Sequence, residues 1–108
     1  MNTTELDAYY GVTPDEEAYV SRNAFSSRQP LRLKHFPARQ KRKYIVLKVI
    51  ATEFEPGRRY DEQEINAILA GIHEDYVTLR RYLVDYKLLQ RTTDGRSYWR
   101  SEAPMVSS

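Results

Sequence analysis

Between residues 38 and 86 the apolar side chains recur three times at helical spacing, and each recurrence predicts one helix. In the first, Leu47, Ile50, Ala51 and Phe54 fall at i, i+3, i+4 and i+7, with Val46 and Val49 widening the stripe. Pro37 opens that segment and Glu55-Pro56-Gly57 closes it, which predicts a helix over about 38–54. In the second, Ile65, Ile68, Leu69 and Ile72 repeat the spacing behind Asp61, and Glu64 stands three residues later to complete a capping box. In the third, Tyr76, Leu79, Leu83 and Tyr86 share one face of a helix over about 74–86, while Glu74, Thr78, Arg81 and Asp85 point the other way. After that the period shortens. Leu88-Leu89-Gln90-Arg91 reads as a strand, Asp94-Gly95 as a two-residue turn and Tyr98-Trp99-Arg100 as the returning strand, with Trp99 packed under the hairpin. Arg58-Arg59-Tyr60 has room only for a short strand between the first two helices.

Upstream the pattern weakens. Thr13-Pro14-Asp15-Glu16-Glu17 has the N-cap, the first-turn proline and the acids of a helix start, and that helix should end before Asn23. Ser26-Ser27-Arg28-Gln29-Pro30 reads as linker, and the alternation from Leu31 to Phe36 as a brief extended segment. Leu6, Tyr9, Tyr10, Tyr19, Val20 and Phe25 are too many large apolar residues for a solvating tail. The arm over residues 1–30 is therefore expected to be partly ordered and to dock on the domain or on another chain. Residues 101–108 read as a flexible tail. Three helices, a minimal strand between the first two and a closing hairpin predict an α+β fold: a winged helix-turn-helix over residues 31–100 behind an N-terminal arm.

Length and composition narrow this further. A chain of 108 residues holds one modest core. The absence of cysteine excludes disulfides and thiolate zinc sites and suits a reducing cytosol. No run approaches a membrane span, and the first residues lack the basic start and apolar core of a signal peptide, so a cytoplasmic protein is expected. The net charge of +2 hides a segregation. Residues 1–27 carry five acids against Arg22 alone, whereas residues 28–48 carry eight bases and no acid. Such a belt beside an acidic arm predicts either an anionic partner or pairing within the chain.

The residues also carry a family resemblance. Leu33-Lys34, Phe36-Pro37-Ala38-Arg39 and Lys41-Arg42-Lys43 are followed by Phe54-Glu55-Pro56-Gly57-Arg58 with Tyr60, and by Glu64-Ile65-Asn66 with Ile68-Leu69. Further on come His73, Asp75, Thr78-Leu79-Arg80-Arg81, Leu83-Val84-Asp85-Tyr86, Leu89, Arg91 and Tyr98-Trp99-Arg100. Together they resemble the domain of unknown function 2087 family over about residues 31–100. The resemblance implies a small winged-helix-like bacterial domain, found alone or behind the helix-turn-helix domain of transcriptional regulators. It departs at Lys87, where the family usually has a glycine, and residues 1–30 lie outside the pattern. Leu83 to Arg91 resembles, more loosely, the helix-to-wing junction of small metal- and stress-responsive winged-helix repressors.

Candidate chemistry follows the charge. Arg39, Lys41, Arg42 and Lys43 at the start of the first main helix, with Arg91, Arg96 and Arg100 in the hairpin, could neutralise phosphates. Thr78 and Arg81, on the outer face of the third helix, are the candidates for base contact. Against that, Glu74 and Asp75 sit where the helix would approach the groove, and acids repel a phosphate backbone. Helix capping is the plainer role for them. His73, Asp75, Arg80 and Asp85 are the candidates for a structural polar network, with Arg80 pairing to Asp75, Glu64 or Asp85. His35 and His73 have no companion histidine at i+3 or i+4, and no nucleophile motif or phosphate loop accompanies them. No cofactor, metal or catalytic role is expected. Two functions remain: a non-enzymatic DNA-binding or transcription-associated module, expected to dimerise because one small winged helix offers little specific contact, and a protein-interaction module on the same scaffold.

Overall fold

The computed structural model describes residues 3–101. Along them run α1 (Thr3–Tyr10), α2 (Pro14–Asn23), β1 (Phe25–Arg28), β2 (Leu31–Leu33), α3 (Gln40–Ala51), β3 (Arg59–Tyr60), α4 (Glu62–Ala70), α5 (Tyr76–Asp85), β4 (Leu89–Arg91) and β5 (Tyr98–Arg100). The protein is α+β, with its helices around two small antiparallel sheets.

The core is built on α3. Tyr44, Ile45, Val46, Leu47 and Ile50 are all buried, so this helix is covered on nearly every side rather than along one stripe. α2 packs on one flank and α5 on another. At its C-terminal end Thr52, Glu53 and Phe54 donate to the carbonyls three residues back, a tighter turn that ends the regular helix at Ala51 while still burying Phe54. α4 starts at the expected capping box: Asp61 Oδ1 accepts from the Glu64 N–H at 2.8 Å, and the Glu64 carboxylate accepts from the Asp61 N–H at 3.0 Å. α5 starts two residues later than its period suggested, because the Asp75 carboxylate accepts from the Thr78 N–H and takes the N-cap position. Two residues past its end stands Lys87, whose φ of 67° lies in the left-handed region.

The larger sheet has the strand order β3-β5-β4, with Tyr60 opposite Tyr98 and Arg91 opposite Tyr98 on the other side. Its period of two sends Tyr98 into the core and Trp99 to the opposite face. Trp99 is therefore not packed under the hairpin. Its ring is half-buried, stacked against the Arg59 guanidinium at 4.0 Å, and its Nε1–H donates to Gln90 Oε1 at 3.0 Å. The turn between β4 and β5 is also longer than two residues. Gly95 N–H donates to the Thr92 carbonyl at 3.0 Å, and Gly95 follows with φ 72°. The Thr92 N–H donates to the Ser97 carbonyl at 2.9 Å and closes a loop of four residues, 93–96, inside which the Asp94 carboxylate takes the Thr92 hydroxyl and the Arg96 N–H.

Residues 3–30 form two helices and a strand against the core, including the stretch expected as linker. Val20, Ala24 and Phe25 join Leu6 in the same hydrophobic cluster as α3, and the segment read as linker is β1, paired antiparallel with β2 as Phe25 opposite Leu33. At the other end Ser101 is buried and its N–H donates to the Leu88 carbonyl at 2.9 Å. The rest of the expected tail, 102–108, lies outside the described residues. No helix among the described residues is long and apolar enough to cross a membrane.

Candidate nucleic-acid interface

Three of the eight bases of the belt, Lys41, Arg42 and Lys48, meet acids of the arm. Lys41 Nζ lies 2.9 Å from Glu16, and Arg42 Nε lies 4.0 Å from the other oxygen of that carboxylate while its guanidinium rests over the Tyr19 ring. Lys48 donates to Asp7 at 2.9 Å and to Glu17 at 3.0 Å. Tyr44, on the same face of α3, donates its hydroxyl to Asp7 at 2.5 Å. Burial, reinforced by that hydrogen bond and by the Asp7 charge, pushes the Tyr44 phenol well above its ordinary range. Burial opposes the charge on Lys48, but its hydrogen bonds to Asp7 and Glu17 outweigh that and raise its pKa. Tyr10 extends the contact, stacked on Tyr44 at 4.7 Å and on Tyr86 at 5.9 Å. In the sequence Tyr10 stood out only as one of the arm's large apolar residues and Asp7 only as one of its acids, neither with a partner.

Lys43 turns the other way, with its ammonium 5.0 Å above the Tyr82 ring on α5. Arg39 is exposed at the N-cap of α3 and has no ion-pair partner among the described residues.

A second cationic group forms where α5 meets the hairpin. Arg80, Arg81 and Arg91 line a groove with Val84, Asp85 and Tyr98, a space of about 270 Å³. Arg81 and Arg91 are exposed there. Arg80 is half-buried and directed towards α4, where it donates to Asn66 Oδ1 at 2.5 Å and lies 3.9 Å from Glu62. It pairs with none of the three acids expected for it, because it leaves α5 on the flank facing α4; Arg58 takes Glu64 instead, at 3.0 Å. Asp85 is the one acid lining the groove. Arg96, at the tip of the hairpin, is almost fully exposed and lies 3.9 Å from Asp94. Asp94 is held below the usual carboxylate range by hydrogen bonds from the Thr92 hydroxyl and the Arg96 N–H.

The approach to α5 is a local network of its own. His73 Nδ1 accepts from the Asp75 N–H at 3.1 Å, and the Asp75 carboxylate accepts from the Thr78 N–H at 3.3 Å. The His73 ring sits edge-on to Phe36 at 5.6 Å. Asp75 is thus committed to the helix cap, where its charge meets the positive end of the helix dipole. Thr78 enters through its backbone, and its side chain is half-buried. Arg80 and Asp85 stand apart from this network, in the groove. Among the described residues no three His, Cys, Asp or Glu side chains are placed to hold a metal ion.

The family model described as an uncharacterized protein conserved in bacteria (DUF2087) matches residues 32–100, a stretch that starts after α1, α2 and β1. No curated protein and no solved structure matches the chain.

Proposed function

The chain belongs to the DUF2087 family of uncharacterized proteins conserved in bacteria, and from that premise we propose that residues 31–100 form a winged helix-turn-helix acting as a non-enzymatic, DNA-binding module of transcription. The order α3, β3, α4, α5, β4, β5 supports the winged-helix reading, with α5 as the helix that enters the major groove and the β4–β5 hairpin as the wing. The observation that carries the proposal is the groove itself. Helix and hairpin, consecutive in the chain, bring Arg81 and Arg91 together, both exposed, with Arg96 beyond them at the hairpin tip. Asp75, one of the two acids that argued against this surface, caps α5, where the helix dipole offsets part of its charge. Lys41 and Lys48 take no part, because Glu16, Asp7 and Glu17 already pair with them.

Three phosphates neutralised by Arg81, Arg91 and Arg96 imply a fall in affinity for duplex DNA of about 40-fold between about 50 and 200 mM salt. Fluorescence anisotropy with a labelled random-sequence duplex measures it. No binding at the lower salt sinks the proposal. Arg91→Glu should weaken binding to every sequence, whereas Arg81→Ala should change sequence preference. Sedimentation of the complex should find two chains per site.

A second reading, a protein-docking face on α5, is favoured by one observation. Val77 is 51% exposed on that helix, near the exposed acid Glu74. Failure to bind DNA at low salt is the result that would leave this reading standing.

A further inference from the structure

We propose that the cleft between α2 and the segment leading into α3 binds a small organic anion with a flat apolar body, an aryl carboxylate being the simplest example. The cleft is a depression open to solvent that offers about 570 Å³, within the range of small-molecule sites. Val20, Phe36 and Pro37 supply apolar wall, and the Tyr19 ring lies at one side. Two arginines and His35 line it, and none of its lining residues is acidic. This sets it apart from the rest of the α2–α3 contact, where every lysine meets a carboxylate.

The two guanidinium groups are also available in different degrees. Arg39 is exposed and has no ion-pair partner among the described residues. Arg42 is steadied over the Tyr19 ring at 5.7 Å, and its nearest carboxylate is 4.0 Å away on Glu16, whose other oxygen is committed to Lys41 at 2.9 Å. A ligand carboxylate entering beside Phe36 would meet two lining arginines, each a planar group able to bind a carboxylate through two N–H bonds. An uncharged ligand would leave both unanswered. A purely polar anion would forgo the aromatic wall. The chemistry therefore selects a molecule with both features.

The walls come from both parts of the chain. Tyr19, Val20 and Ala24 precede the stretch matched by the family, and Phe36 to Arg42 belong to it. A bound ligand would tie the arm to the domain. The site is independent of DNA binding and is tested without DNA.

Full-length protein labelled with ¹⁵N is titrated with 1-naphthoate and, separately, with the neutral analogue 1-naphthalenemethanol. Naphthoate should give saturable shifts confined to residues 19–24 and 35–42, and the neutral analogue should bind at least about fivefold more weakly. Arg39→Gln should weaken naphthoate by a similar factor, and Ala38→Trp, which fills the cleft from an exposed position, should abolish the shifts while leaving the remaining spectrum unchanged. No saturable shift at millimolar ligand, equal affinity for the two probes, or an unaltered Arg39→Gln titration would each overturn the assignment.

Discussion

Replacing Lys87 with glycine should make this protein more stable, and the size of the gain follows from how α5 ends. Lys87 N–H donates to the Val84 carbonyl at 3.0 Å and Leu88 N–H to the Leu83 carbonyl at 2.9 Å, the paired bonds of a Schellman closure. That closure needs a left-handed residue, and Lys87 supplies it with φ 67°. An L-residue pays roughly 1–2 kcal/mol for this conformation because its Cβ crowds the following carbonyl. Glycine avoids the clash but loses more backbone freedom on folding, roughly 0.5–1 kcal/mol. The difference favours glycine by roughly 0.5–1 kcal/mol, or roughly 3–6 °C in Tm for a domain of this size. Lys87 is exposed, so its side chain contributes little on its own. Urea denaturation followed by far-UV circular dichroism measures the change, with Lys87→Ala as the control that keeps the strain and removes the side chain. Lys87→Gly no more stable than the wild type, or Lys87→Ala gaining as much as the glycine, would refute the reasoning.

Other perturbations probe the arm and its network. Leu6→Ala should destabilise the whole domain by about 2–5 kcal/mol in a single urea transition, since Leu6 belongs to the same core as α3; a separate early transition would mean the arm unfolds alone. Folding raises the pKa of Tyr44 above its ordinary 10.0, chiefly by burial, and that of Lys48 above 10.5, where hydrogen bonds to Asp7 and Glu17 overcome burial. Stability from both groups is therefore fully present below about pH 10 and lost as pH rises towards the folded values. Urea midpoints should stay level up to about pH 10 and then fall, less steeply in Tyr44→Phe; an equal fall in that variant would remove Tyr44 from the account.

The parts of the fold that showed in the sequence are those set by local chemistry. Ile65, Ile68, Leu69 and Ile72 marked α4 because their spacing alone buries one face, and Asp61 with Glu64 marked its start because a capping box spans only four residues. Thr13 and Pro14 marked α2 for the same reason. What did not show depends on distant partners. Ser26-Ser27-Arg28 has no strand pattern of its own and becomes β1 only by pairing with Leu31–Leu33. α1 has a weak apolar face, and it is fastened by Asp7 and Tyr10 to residues 34 or more positions away in the chain. Trp99 and Tyr98 are neighbours of similar character, so only the register against β3 and β4 decides which faces inward. The candidate site residues divide likewise. Asp75 as a cap could be read from its place before a helix, whereas the groove of Arg81 with Arg91 needs α5 and β4 folded together.

On the proposed function, α5 and the β4–β5 hairpin form the face that meets DNA. Chemical-shift mapping of the ¹⁵N-labelled protein with a short random-sequence duplex at about 50 mM salt tests it most directly. The account predicts that the largest shifts fall on Arg81, Arg91 and Arg96, fading as salt is raised, while Lys41 and Lys48 stay still in their pairs with Glu16, Asp7 and Glu17. Shifts concentrated on α2 and the first turn of α3, or none at all, would contradict it.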